Sequence, residues 1–491
     1  RKARCDIPDP RFFTEVRLSI SFLLSALSAL SAFSGFSTAW AQAPSNEVKQ
    51  FVSVDAPSVA LVHVRVVDGT GARPADDQTI LISNGRIERV GPSSSIQVPA
   101  GTKTLDLMGH TVIPGIVGLH NHTFYTTSIR SVQLNATAPR LYLGSGVTTI
   151  RTTGSYSPYA ELNLRRVIDA GQAVGPRMHV AGPYLTGGHA DGSMHKVNSV
   201  EAVRRVVDYW ASEGVTWLKF YTEVSREVLG AAIKQAHKRG VKVTGHLCSV
   251  SFREAVALGI DNLEHGLFVN TDFDPEKEPD MCPPDALAKL ASLDTRGAAA
   301  RTTIQEMVSH KVPMTSTLPV YELFVPNRPP LERRVLDAMA PEVRTEYLTS
   351  RARLAEPGAF AISPEIFRKA QEFEVEFVRA GGLLAAGVDP TGNGGALPGF
   401  GDQRNYELLI EAGFTPVEAI RIMTLNGAIV LGEDKRLGSV TPGKLADVVV
   451  IKGDPITRPA EIRNVTTVFK SGVGYDSAKL IESCRGLVGI R

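Results

Sequence analysis

The sequence predicts an α/β fold: a (β/α)8 TIM barrel with a small composite β-sandwich domain built from N- and C-terminal segments. Three observations carry this. Between its ends the chain alternates short apolar β-like runs with amphipathic helical stretches, the pattern of parallel βα units. Eight such runs can be counted, the number that closes a barrel. Two β-rich segments bracket them, and 491 residues suffice for a large barrel and a smaller second domain.

Taken in order, residues 1–41 read as an export signal. Arg11 and Arg17 precede an uncharged apolar and serine-rich run, Leu18–Ala41, that closes on Ala39-Trp40-Ala41. The run is also about long enough to span a bilayer, but its serine content and small-residue end favour cleavage, and with it a periplasmic or secreted location without membrane attachment. Residues 42–56 are polar and read as a linker. Residues 57–113 form the first part of the sandwich, with β-rich runs Val59–Val67, Gln78–Val90 and Thr102–Val112 separated by Asp68-Gly69, Asn84-Gly85 and Gly109. The second part, residues 432–480, carries Ala446–Lys452 and Val465–Lys470, and residues 481–491 are set apart as a tail.

The barrel is assigned to residues 114–431. Its eight strand candidates are Val112–His120, Gly146–Thr152, Arg177–Gly182, Val215–Tyr221, Val241–His246, Asn262–His265, Val312–Thr317 and Leu383–Val388. Val203, Val206, Val207 and Trp210 recur at helical spacing. Ser251 with Glu254, and Thr415-Pro416 with Glu418, are capping boxes that open helices after the fifth and eighth strands. Phe268–Lys311 and Pro319–Phe367 are too long for plain connections and are expected to form lids or substrate walls.

Composition narrows the function. At 43% hydrophobic and 21% charged the chain is an ordinary globular protein. With 53 basic and 51 acidic side chains it lacks the one-signed field that nucleic acid requires. Removing residues 1–41 takes away five basic and three acidic groups and leaves 48 of each. Cys248, Cys282 and Cys484 then remain, so at most one disulfide can form beside one free thiol. Association into a homo-oligomer is compatible with all of this.

Chemistry gathers at strand ends, where barrel enzymes place catalysis. His120 and His122 end the first strand two residues apart, so both imidazoles point to one face and suit a single cation. Lys219 lies inside VTWLKFY, where an ammonium is costly to bury. It reads either as a paired or snorkelling lysine, or as an amine whose depressed pKa lets it take up carbon dioxide; the carbamate formed would be an anionic ligand able to bridge two metals. His246 and His265 end the fifth and sixth strands, and Asp389 ends the eighth. Four histidines, a lysine and an aspartate on one rim can hold two divalent ions, which two-metal sites keep about 3.5–4 Å apart. His, carboxylate and carbamate donors suit zinc, and also manganese, cobalt or iron.

These residues and their order resemble the amidohydrolase superfamily, in its imidazolonepropionase-like and prolidase-like branch. The resemblance rests on VIPGIVGLHNH (Val112–His122), GVTWLKFY (Gly214–Tyr221), GHLCS (Gly245–Ser249), NLEHG (Asn262–Gly266), AAGVDP (Ala385–Pro390), TPVEAIRIMTLNGA (Thr415–Ala428) and LGSVTPGKLADVVVIKGDP (Leu437–Pro455). It implies a binuclear centre in which His120, His122 and Asp389 hold the more buried ion, His246 and His265 the more exposed one, and carboxylated Lys219 bridges both. Asp389 would take a proton from a bridging hydroxide and pass it to the leaving amine. Tyr221, His189 and Tyr125 are candidates for substrate binding, and Cys248 for packing beside the rim.

The expected function is therefore hydrolysis of a C–N bond in a small amide or peptide, such as a dipeptide or N-acyl amino acid. A mononuclear deaminase or cyclic-amide hydrolase is the alternative on the same fold, and a barrel that only binds a ligand is the third reading.

Overall fold

Strand alternation is clearest near the start of the folded chain, where SVALVHVRV (Ser58–Val66) buries Val59, Leu61, Val64 and Val66 in one core and turns Ala60 and Val62 to another. Each such side chain contributes roughly 1.5–3 kcal/mol on full burial. In the computed structural model, which describes residues 44–188, 193–392 and 394–490, this strand pairs with Ala75–Ser83 along one edge. Along the other edge it pairs first with Lys103–Asp106 and then with His110–Pro114. His110–Pro114 pairs in turn with Val448–Lys452 from the far end of the chain, and that strand with Val465–Lys470. The two β-rich ends thus join in one continuous hydrogen-bonded sheet of nine strands. Continuity follows from the change of partner along Ser58–Val66. Val112, Val448, Val450 and Phe469 share a core with Val59 and Leu61, so both ends serve one hydrophobic cluster.

Two expectations change. The signal reading at residues 1–41 falls outside the described residues. Within the stretch read as a linker, however, Asn46–Lys49 is a helix capped by Ser45, and Val52–Val54 pairs with Val473–Asp476. Val48, Phe51 and Val54 are buried, and this anchors a segment whose polar composition concealed three apolar contacts. Nor is the C-terminal stretch a free tail. Leu480, Cys484 and Val488, four residues apart, are fully buried, and the Ser477 hydroxyl donates to the Gly144 carbonyl of the helix Thr137–Gly144.

The eight expected strands all form: β1 (Ile116–Asn121), β2 (Val147–Thr152), β3 (Ala181–Thr186), β4 (Trp217–Phe220), β5 (Lys242–Gly245), β6 (Asn262–Glu264), β7 (Met314–Ser316) and β8 (Leu384–Ala386). β3 through β8 pair in order, all parallel. β1 pairs with β2, and β2 with Arg177–His179, which continues through Val180 into β3; the third run therefore serves two sheets. Between β8 and β1, the Val388 and Asp389 amides both donate to the His120 carbonyl, at 2.9 and 2.8 Å. Both expected capping boxes are present, at Ser251 and Thr415.

Cys248, expected to act in packing, instead forms a disulfide with Cys282, 34 residues on, and Cys484 stays free and buried. The bond ties the excursion after β6 to the end of β5. On the chain-entropy argument a loop of this size is worth about 4 kcal/mol. Cys282→Ser is therefore expected to lower the unfolding free energy by about 2–4 kcal/mol in urea titration; an unchanged midpoint would contradict this.

Candidate metal centre

Each expected donor sits at the C-terminal end of a parallel strand, where the backbone stops pairing and the side chain turns inward. On β1, His120 and His122 are both buried. Nδ1 of His120 lies 2.8 Å from Glu264 Oε2, and a carboxylate only accepts, so this nitrogen carries the proton and Nε2 is left as a free lone pair. Nδ1–H of His122 likewise donates to the Gly154 carbonyl at 3.2 Å, and the Tyr184 hydroxyl approaches its Nε2 at 3.3 Å. Anchoring one ring nitrogen so that the other faces the centre is how metal-binding histidines are oriented.

After β6, His265 takes a left-handed backbone conformation (φ 68°). The turn places its Nδ1 2.8 Å from Thr317 Oγ1 and leaves Nε2 buried without a hydrogen-bond partner. His246, after β5, packs between Tyr221 and His265, with ring centres 4.5 and 4.3 Å away. Asp389, after β8, is also left-handed (φ 58°). Its Oδ1 lies 3.0 Å from His122 Nε2 and 3.5 Å from His120 Nε2, and its Oδ2 3.9 Å from His265 Nδ1. Donor atoms of His120, His265 and Asp389 all lie within 4.8 Å of one another. This cluster takes members from both of the donor sets that the family resemblance implied.

Lys219 on β4 is 1% exposed, and its Nζ has no hydrogen-bond partner. Burial pulls its pKa down to about 8, against the opposing pull of Glu264 and Asp389. Burial also pushes His120 down to about 4 and His246 to about 3, in both cases aided by Lys219, and takes His265 well below the usual range. Asp389 goes the other way: burial opposes its charge, yet His120, His122 and Lys219 hold it well below the carboxylate range. Neutral imidazoles at His120, His246 and His265 and an ionised carboxylate at Asp389 are the states in which these groups bind cations, and the Lys219 amine gives up its proton more readily than an ordinary lysine.

Behind His120 lies an ion pair that sequence reasoning passed over. Glu264 is buried and receives hydrogen bonds from Arg151, Thr244 and Asn262 besides His120. Arg151, fully buried, also donates to the Leu119 carbonyl at 2.7 Å and stacks on Trp217 at 4.4 Å. A charge within the apolar run of β2 was the available signal, the same signal that singled out Lys219.

His120, Lys219, Tyr221, His246 and Asp389 line a cavity of about 250 Å³, with Tyr156, Tyr184 and Tyr321 among its other walls. His122 and His265 lie behind the lining, against Asp389 and the His246 ring respectively. Tyr125 faces an adjoining cavity instead, and His189 falls outside the described residues. Tyr156 lies in a loop, Tyr184 within β3 and Tyr321 in the short helix Leu318–Glu322, three separate settings with no shared period, so nothing in the sequence marked them.

Residues 111–474 match the family profile of amidohydrolases. No curated protein sequence matches. Among solved structures, a candidate prolidase from Bifidobacterium longum is 25% identical, with 87% of this chain and 98% of that one covered at a TM-score of 0.62. A Xaa-Pro dipeptidase with methionine in its active site is 21% identical over 85% and 100%, at 0.63. A bottromycin amidohydrolase is 21% identical over 88% and 91%, at 0.67.

Proposed function

The chain belongs to the amidohydrolase family and is a hydrolase of C–N bonds, and from that premise we propose that it cleaves a dipeptide or N-acyl amino acid at a binuclear metal centre inside a closed (β/α)8 barrel. The observation that supports this is that donor atoms of His120, His265 and Asp389 lie within 4.8 Å of one another, and that His120, His246 and Asp389 line one cavity with an amine, Lys219 Nζ, that is buried and without a hydrogen-bond partner. His120, His122 and Asp389 would hold a deeper ion and His246 and His265 an outer one, with Lys219 as a carbamate between them. Bound divalent ions, zinc by the character of the donors, would supply Lewis acidity toward the scissile carbonyl and toward water.

The chain's own groups do the rest. Asp389, ionised and at the cavity wall, is placed to accept a proton at a carboxylate oxygen and return it to the departing nitrogen. Tyr221, Tyr184 and Tyr321 wall the space around the reacting amide and narrow the path for bulk water. The Cys248–Cys282 disulfide suits an oxidising compartment and supports export through the signal read at residues 1–41.

Metal removal tests the proposal. Treatment with a strong chelator is expected to abolish hydrolysis across a panel of dipeptides and N-acyl amino acids, and zinc, manganese or cobalt to restore it with two ions per chain. One ion per fully active chain would favour a mononuclear deaminase or cyclic-amide hydrolase instead, and full activity without metal would end the metal reading.

A further inference from the structure

A second cavity, about 460 Å³, adjoins the one of about 250 Å³ at the polar centre, and Tyr156, Phe324 and Thr391 belong to the walls of both. The smaller space holds a scissile amide and little more; the larger is the size that takes a residue-sized group. Its floor is fixed by the donor-bearing loops themselves. The Thr126 amide donates to the Thr391 carbonyl at 3.1 Å. Gly392, at φ 110°, comes so close that a Cβ there would stand 2.0 Å from the Thr126 carbonyl oxygen.

The walls are mixed: Tyr125, Phe324, Tyr347 and Leu354 supply aromatic and apolar surface beside the hydroxyls of Thr126, Thr127, Ser128 and Ser350. Ile129, 83% exposed, follows the lining residue Ser128, and Phe360, 67% exposed, packs on Phe324 at 5.7 Å, so apolar surface continues to the outside. Glu346 and Arg351 also line the space. Glu346 accepts a hydrogen bond from the Ser128 amide at 2.7 Å and Arg351 donates to the Arg328 carbonyl, but neither makes an ion pair among the described residues.

We infer that this second cavity is a substrate subsite that receives, past Tyr156 and Phe324, an aromatic or branched apolar arm on one side of the scissile amide. The inference rests on the proposed hydrolase reading and adds to it a preference for large arms. Connections after β1, β2, β7 and β8 build the site, so residues away from the candidate metal donors set specificity.

The test uses the metal-loaded full chain and three substrates: N-acetylglycine, N-(3-phenylpropanoyl)glycine with a large acyl arm, and N-acetylphenylalanine with a large amine arm. The parent should prefer one large-armed substrate by at least about tenfold in kcat/KM. Ser350→Trp and Leu354→Trp, each placing an indole in the cavity, should erase that preference while turnover of N-acetylglycine and the melting temperature stay at parental values. Calorimetry with 3-phenylpropanoate against propanoate, and with phenylalanine against glycine, reads the same preference without turnover. Preference for neither arm in both assays, or an equal loss on all three substrates in a variant that melts like the parent, overturns the subsite. Inertness of the parent toward all three substrates, with arm binding intact in calorimetry, would instead count against the hydrolase reading alone.

Discussion

Lys219→Ala is expected to lower kcat/KM at least about a thousandfold, roughly 4 kcal/mol of transition-state stabilisation, and to leave the chain with fewer than two ions. Among the described residues no other group is free to replace it: Nζ has no hydrogen-bond partner, and the neighbouring carboxylates are already engaged, Glu264 by Arg151 and His120 and Asp389 by the histidines. The truncation also removes a buried amine that is costly to charge, so the variant should fold at least as well as the parent. Loss of activity therefore reports on the centre and not on unfolding. A short carboxylate added to the variant would occupy the vacated space and supply the missing anionic oxygens, with partial recovery as the expected reading. Two ions and full turnover in Lys219→Ala would remove the bridging role.

Glu264→Gln should act on stability and on metal affinity together. Arg151 would be left as an uncompensated charge in the interior, a change that typically costs 3–5 kcal/mol, and the same substitution removes the carboxylate that fixes the His120 ring, which typically weakens metal binding by about 10–100-fold. Denaturant unfolding of the metal-free chain isolates the first effect, and competition against a metallochromic chelator measures the second. A further substitution of Arg151 by methionine should return part of the stability, since the orphaned guanidinium is gone, but none of the affinity. If Glu264→Gln were neutral in both measurements, the ion pair would have no part in holding His120.

Much of the barrel was readable because buried parallel strands appear as unbroken apolar runs, and a polar residue that ends or interrupts such a run stands out. His120, Lys219, His246, His265 and Asp389 were visible for that reason. Glu264 was not, although it adjoins His265: its role depends on β1 and β2 bringing His120 and Arg151 to the same interior point, across 144 and 113 residues. The short anchors at Val48, Phe51 and Val54 lack the length for any period to show, whereas the four-residue spacing of Leu480, Cys484 and Val488 was legible but ran across the boundary drawn between the sandwich and the tail. The break at Val180, where one run passes from one sheet to the next, depends on which strands lie beside it and leaves no trace in the spacing of the run itself.

His110–Pro114 leads directly into β1, and its partner is Val448–Lys452, with the Gly115 amide donating to the Asp447 carbonyl between them. The segment that leads into His120 and His122 is therefore flanked by Ser58–Val66 on one edge and by a strand from the last tenth of the chain on the other. During synthesis the first edge can pair early, whereas the second waits for Val448–Lys452. A chain cut short ahead of Val448 would carry all six candidate donors on a sheet completed along only one side of that segment.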